Sequence, residues 1–185
     1  MEIHVEVEMI YRLNKEYYVR SLKLSDLDGA YPSWFEDQEV CQYNSHGKFF
    51  KTDEYFQNYI KSLNANNLVV WAICHNENGH IGNISLQNMS FINRTAELAI
   101  LLGEKDHWGK GVAFEASKVL LSHGFNKLNL NRIYCNTSKN NKGMQKIATR
   151  LGMKLEGERR QHMFLDGKYI DMLEYGILLS EFDKT

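Results

Sequence analysis

The chain has 185 residues, of which 43% are hydrophobic and 24% charged, and its formal net charge is −1. That length predicts one domain, residues 1–185, with a core that needs no disulfide or metal staple. A near-neutral balance without blocks of Lys and Arg argues against nucleic acid or an acidic membrane surface as partner.

Residues 1–12 alternate in a strand-like way and read as a peripheral extension. The first strand proper is expected at Tyr17-Tyr18-Val19-Arg20-Ser21-Leu22. Ser25-Asp26-Leu27-Asp28 offers a helix N-cap, with an amphipathic stretch to about Phe35 and a short helical turn over residues 39–43. Thr52 caps a clearer helix whose apolar face carries Tyr55, Phe56, Tyr59, Ile60 and Leu63. Strands at 68–74 and 81–87 flank the hairpin signal Asn76-Glu77-Asn78-Gly79. A turn at Asn93-Arg94 leads into a fourth strand, Ala96-Glu97-Leu98-Ala99-Ile100-Leu101-Leu102. A helix from Ala113 to near Leu128 follows, then a strand at 131–137 and a helix at 140–151 stopped by Gly152. Residues 153–164 and 168–179 close the chain as a hairpin across Asp166-Gly167. The order predicts an α+β fold around a mixed, largely antiparallel sheet flanked by helices.

Trp108-Gly109-Lys110-Gly111-Val112-Ala113 stands between the fourth strand and the next helix. A glycine turn that opens a helix gathers free N–H groups at the positive end of the helix dipole, a ready site for a phosphate or pyrophosphate. Glycine allows the backbone to approach the anion without a Cβ in the way. A nucleotide enzyme is disfavoured, because GxxxxGK[ST] is absent and Phe114 stands where GxGxxG needs its third glycine.

With Glu115-Ala116 behind it, this turn resembles the GNAT superfamily of acetyl-CoA-dependent N-acetyltransferases. Ala96-Glu97 before it, Asn141, Arg150-Leu151-Gly152-Met153, Glu156-Gly157-Glu158-Arg159-Arg160 and Asp166-Gly167-Lys168-Tyr169-Ile170-Asp171 extend the match from about Tyr17 to Phe182. These segments resemble the RimJ/RimL-type branch, whose members acetylate ribosomal-protein N-termini, polyamines and amino sugars. The resemblance implies a GNAT-type sheet with acetyl-CoA held at the turn. It also implies direct transfer of acetyl to a primary amine in a ternary complex. A homodimer is plausible for this branch, and no motif here specifies one.

Three departures bear on the chemistry. Trp108 replaces the usual Gln or Arg at the head of the turn. Met144 stands where the branch often has serine, and Ala148 where other branches place tyrosine. Both positions can protonate the leaving thiol in relatives, so the general acid is left open.

The resemblance assigns Glu97 as base, acting through water, with a substrate-orienting carboxylate as the alternative. A backbone N–H at Leu101 or Leu102 would meet the thioester oxygen, and that strand edge would pair with the pantetheine arm. Gly109, Lys110, Gly111, Val112 and Ala113 would wrap the pyrophosphate, with Trp108 packed beneath. Asn141 would bond the cofactor arm, or else Asn140 or Asn141 caps a helix. Lys146 would reach a cofactor phosphate or remain a surface lysine.

The acceptor pocket is expected from Trp34, His46, Ser85, Gln87 and Tyr169, with Tyr43, Asn44, Ser45 and His162 nearby. Tyr134 is a possible proton source or a packed strand residue, and Cys135 reads as a buried thiol rather than a nucleophile. No histidine spacing such as HExxH supports a metal, and none is expected. The acceptor is read as a small-molecule amine such as an amino sugar. A protein N-terminus and a non-catalytic acyl-CoA-binding module are the alternatives. The three cysteines, Cys41, Cys74 and Cys135, form no CxxC pair. Residues 1–8 lack the basic start and apolar core of a signal peptide, and no apolar run is long enough for a membrane span. A reducing cytoplasm is the expected location.

Overall fold

A computed structural model describes residues 9–63 and 68–182. Its strands are β1 (Ile10–Arg12), β2 (Tyr17–Ser21), β3 (Val69–His75), β4 (Gly79–Ser90), β5 (Thr95–Leu102), β6 (Arg132–Ser138), β7 (Lys154–Leu165) and β8 (Lys168–Leu178). Its helices are α1 (Asp53–Ser62), α2 (Val112–Asn126), α3 (Lys142–Arg150) and the short α4 (Leu179–Phe182). The strands form one sheet in the order β1-β2-β3-β4-β5-β6-β8-β7. Every neighbouring pair is antiparallel except β5 and β6, which run parallel because α2 carries the chain over the sheet between them. The mixed, largely antiparallel α+β architecture agrees with the sequence expectation. Of the extension, residues 10–12 form the edge strand β1 on β2, and residues 1–8 lie outside the described residues.

Strand alternation sorts side chains onto two faces. Ala96 and Leu98 of β5 and Ile84 and Leu86 of β4 join α2 and α3 in one core, with Leu120, Leu121 and Ile133 fully buried there. The other face packs Val70, Ala72 and Cys74 against Tyr31, Trp34, Phe56 and Ile60. Glu97 and Leu101 have the opposite parity to Leu98, and Ser85 and Gln87 the opposite parity to Leu86. All four therefore look toward the second face, where α1 lies.

The predicted helix from Ser25 to Phe35 is absent. Two 3-10 turns, Leu24–Asp28 and Pro32–Phe35, take its place, separated by Gly29 and started again by Pro32. Asp26 does not cap a helix of that length. Its carboxylate is 6% exposed, accepts the Lys23 N–H at 2.8 Å, and takes both arms of Arg20 at 2.9 and 2.6 Å. Residues 39–43 make hydrogen-bonded turns without a helix, beginning with the Cys41 N–H on the Asp37 carbonyl at 3.0 Å. Thr52 caps α1 as expected, accepting the Tyr55 N–H at 3.2 Å. The closing hairpin turns at Asp166 (φ 48°) and Gly167 (φ 76°), the pair of left-handed residues that a tight two-residue loop requires. All three cysteines are buried free thiols. Among the described residues no helix is long and apolar enough to cross a membrane.

Candidate functional site

The parallel ladder between β5 and β6 covers only Thr95–Glu97 against Arg132–Tyr134. Beyond it, β5 continues on β4 as far as Leu102, and β6 continues on β8 as far as Ser138. The two strands part, and their facing edges open a wedge in the middle of the sheet. A cavity of about 850 Å³ runs from this wedge, where Leu101, Leu102, Asn141 and Met144 line it, to the second face of the sheet. An extended chain entering the wedge can add to the β5 edge as a further strand.

The glycine turn lies at the end of β5. The Trp108 Nε1–H donates to the Leu102 carbonyl at 2.9 Å, and buried His107 has Nδ1 2.9 Å from Tyr17 Oη. These contacts pin the base of the turn and leave Gly109 and Lys110 exposed. Trp108 is thus a half-buried packing residue under the turn. Gly109 and Gly111 adopt φ 74° and 82°, and a Cβ on either would meet open space. Within the protein itself the left-handed backbone already favours glycine at both positions, beside the close approach to an anion expected from the sequence. Gly111 precedes α2 with no side-chain cap, and with the Phe114 N–H turned onto the Gly111 carbonyl it is the Val112 and Ala113 N–H groups that face an anion at the turn. Val112 anchors the helix with a buried side chain, while Ala113 is half-buried. These features fit a pyrophosphate held by main chain and dipole.

Among the described residues Glu97 is the one carboxylate lining the cavity. Its Oε1 accepts the Asn136 amide at 3.0 Å and its Oε2 accepts the Asn88 amide at 2.8 Å. Asn88 reaches it because the β4–β5 register shifts between Gln87 and Ser90, and Asn88 itself sits at φ 52°. Asn136 Oδ1 is buried without a partner. Both carboxylate oxygens are thus held by neutral donors, which orient the group, and among the described residues no cation pairs with it. That arrangement can receive a proton from a bound amine.

Ser85, Gln87 and His46 line the cavity as expected, beside Tyr43, Asn44 and Ser45. The His46 loop is tied to β7, since Lys48 Nζ donates to the Phe164 carbonyl. The surrounding protein desolvates the His46 ring and the Lys51 charge adds to it, which pulls its pKa down and favours the neutral ring at pH 7 although the residue is exposed overall. Asn141 caps α3, accepting the Met144 N–H at 3.0 Å, and Asn140 does not. The capping alternative therefore holds, and the Asn141 amide NH2 remains for the cavity it lines.

Two predicted contacts fall elsewhere. Trp34 is 3% exposed and belongs to the core, with Nε1–H donating to Glu104 at 2.8 Å. Its ring lies where a Cβ on Gly103 would come within 1.9 Å of it. Tyr169 is 67% exposed on the hairpin tip, paired with Phe164 at 5.1 Å and away from the cavity lining. Lys146 and Lys110 are exposed, and His162 is exposed on β7. Tyr134 lies outside the cavity lining with its pKa raised by burial and by Glu97. Burial pushes the Cys135 thiol up to about 12, consistent with an inert buried cysteine. Met144 lines the cavity and Ala148 is buried behind it. Sequence reasoning did not pick out Tyr31, Asn83, Asn88 and Asn136. Parity on β4 marks Asn83 as facing with Ser85, whereas Asn88 depends on the β4 register shift and Tyr31 and Asn136 on contacts distant in sequence.

A family model described as acetyltransferase (GNAT) domain matches residues 17–154. An uncharacterized N-acetyltransferase p20 of Bacillus licheniformis is 30% identical over 89% of this chain and 93% of its own length. A spermidine N(1)-acetyltransferase of Escherichia coli is 28% identical over 74% of this chain and 67% of its own. A solved ribosomal L7/L12 alpha-N-protein acetyltransferase in complex with coenzyme A superposes with a TM-score of 0.82 at 17% identity, covering 94% of this chain and 99% of that one. With the splayed β5–β6 edges and the uncapped glycine turn, these matches make acetyl-CoA the acyl donor. The chain belongs to the GNAT family of acetyl-CoA-dependent N-acetyltransferases.

Proposed function

We propose that the protein transfers acetyl from acetyl-CoA to a small-molecule primary amine bearing one reacting ammonium on an otherwise uncharged, hydroxyl- or carbonyl-rich body, such as an amino sugar. The observation that carries this reading is the cavity lining, where among the described residues Glu97 is the only carboxylate amid amides, hydroxyls and aromatic rings. A polyamine would bring further ammonium groups into that space without counter-charges, and burying an unpaired charge is costly. The spermidine and ribosomal-protein acetyltransferases among the relatives keep a polyamine and a protein N-terminus as the competing acceptors.

In this mechanism the pantetheine arm lies in the wedge along β5. The thioester carbonyl meets a main-chain N–H at Leu101 or Leu102, which stabilises the developing oxyanion. The amine binds on the Ser85, Gln87 and His46 side. Glu97 takes its proton, directly or through water. The nitrogen lone pair attacks the carbonyl carbon, a C–N bond forms, the C–S bond breaks and CoA leaves as thiolate, while the second proton lost from the nitrogen passes to solvent or to that thiolate and leaves a neutral amide. Met144 and Ala148 offer that thiolate no proton. A thiol pKa of about 8.5 makes the thiolate a competent leaving group near neutrality, so a dedicated acid is dispensable.

The test is thiol release from acetyl-CoA across a panel of nucleotide-linked 4-amino sugars, peptides with Ala or Ser N-termini, and spermidine. Release with amino sugars supports the reading. Release only with spermidine or only with peptides overturns the acceptor class. Silence across the panel, with acetyl-CoA still raising the melting temperature, favours an acyl-CoA-binding module instead.

A further inference from the structure

The α2 N-terminus carries more than its glycine turn. Phe114 lies in the first turn of α2, three residues after Gly111, and its N–H donates to the Gly111 carbonyl at 3.1 Å. Over its ring lies the Arg150 guanidinium, 3.9 Å from the centroid, delivered from the last turn of α3. Arg20, Arg132 and Arg159 each hold a carboxylate, whereas among the described residues Arg150 has none within ion-pair distance. The side chain is exposed and stacked, so its planar fork is held in place beside the anion turn with its charge uncompensated. Lys146 lies one helical turn earlier on α3, on the same side as Arg150, and Lys110 lies in the turn itself.

Coenzyme A carries three phosphates. The two of the diphosphate suit the neutral N–H groups of the turn. The third, on the ribose 3′-oxygen, is a separate dianion that main-chain donors at one helix end cannot also reach. We propose that Arg150, braced on Phe114, holds the 3′-phosphate of coenzyme A and makes the protein select CoA over dephospho-CoA. The proposal rests on acetyl-CoA as donor and is independent of the acceptor and of Glu97. A cation in the last turn of α3 also complements that helix's dipole, and this bland role predicts no ligand selectivity.

Calorimetric titration of wild type and Arg150→Gln with CoA and with dephospho-CoA separates the two. Loss of a charge-assisted bidentate contact corresponds to about a ten- to hundred-fold weaker CoA affinity. Affinity for dephospho-CoA should stay unchanged, so the selectivity ratio collapses toward one. Arg150→Lys should retain part of the ratio, because charge remains without the fork. Phe114→Leu should lower it by releasing the guanidinium. Equal weakening toward both ligands would place Arg150 on the diphosphate and overturn the proposal. No change toward either would reduce it to a surface stack, which also overturns it. Melting temperatures measured alongside report whether the exposed Arg150 substitutions leave the fold intact. Failure of wild type to bind either ligand would instead count against the acetyl-CoA site as a whole.

Discussion

Replacing Glu97 by Gln isolates the proposed base. Both Glu97 oxygens accept hydrogen bonds, from Asn136 at 3.0 Å and Asn88 at 2.8 Å. Glutamine turns one acceptor into a donor that faces an amide NH2. A buried donor left that way costs about 1–3 kcal/mol. Asn136 offers relief, because its Oδ1 is buried without a partner and an amide rotation brings that oxygen to the new NH2. On the Asn88 side the pair is exposed and water can serve. The net cost should then be about 1 kcal/mol or less, a melting shift of no more than about 4 °C at this chain length. The chemical effect is larger, since a positioned base contributes about 10²–10⁴ in rate. The assay follows amine-dependent thiol release, with CoA affinity and melting temperature measured on the same preparation. The rate should fall by that factor near pH 7 with CoA affinity kept. The deficit should shrink as pH approaches the amine's own pKa, where no base is needed. An undiminished rate in Glu97→Gln would refute the base role, and so would a rate loss fully matched by lost CoA binding.

Three further outcomes follow from the packing. Asp26→Asn removes the buried carboxylate on which both Arg20 arms and the Lys23 N–H converge, and breaking such a buried pair at about 3–5 kcal/mol should lower the melting temperature by roughly 6–20 °C. A thermal scan checks this, and an unchanged melting point would contradict it. Gly103→Ala puts a Cβ 1.9 Å from the Trp34 ring, so Trp34 must move off Glu104, at about 1–3 kcal/mol of overpacking. A lower melting temperature with altered tryptophan emission is expected, and native emission would count against it. Desolvation lowers the pKa of His80, His107 and His123, so these rings take up a proton less readily in the fold than in the unfolded chain. The unfolded chain binds protons at these positions below about pH 6.5, so stability should be steady above pH 7 and fall as pH drops toward 5. Melting temperatures that hold or rise at pH 5 would contradict it.

Local pattern carried much of the site. Period-two alternation alone puts Glu97, Ser85 and Gln87 on one side of the sheet and Leu98 and Leu86 on the other. The glycine turn and the following amphipathic stretch were legible because left-handed backbone and helix initiation are local demands. Asn88 and Asn136 were not legible as partners of Glu97. One depends on a register shift in β4 and the other on a parallel pairing 39 residues away. Neither is encoded in any short window.

The region between Asp26 and Phe35 shows the opposite failure. Its amphipathic spacing reads as a helix, yet Gly29, Pro32 and the Arg20–Asp26 pair break it into 3-10 turns. Trp34 then finds its place against Gly103 rather than in the acceptor pocket. The sequence by itself determined the succession of elements along the chain, the face alternation within each strand and the anion turn, because each follows from contacts close in the chain. Only the tertiary structure decided where β5 leaves β6, which amides hold Glu97, and that Arg150 lies over Phe114. Those features arise where elements distant in sequence meet, and side-chain packing settles the geometry there.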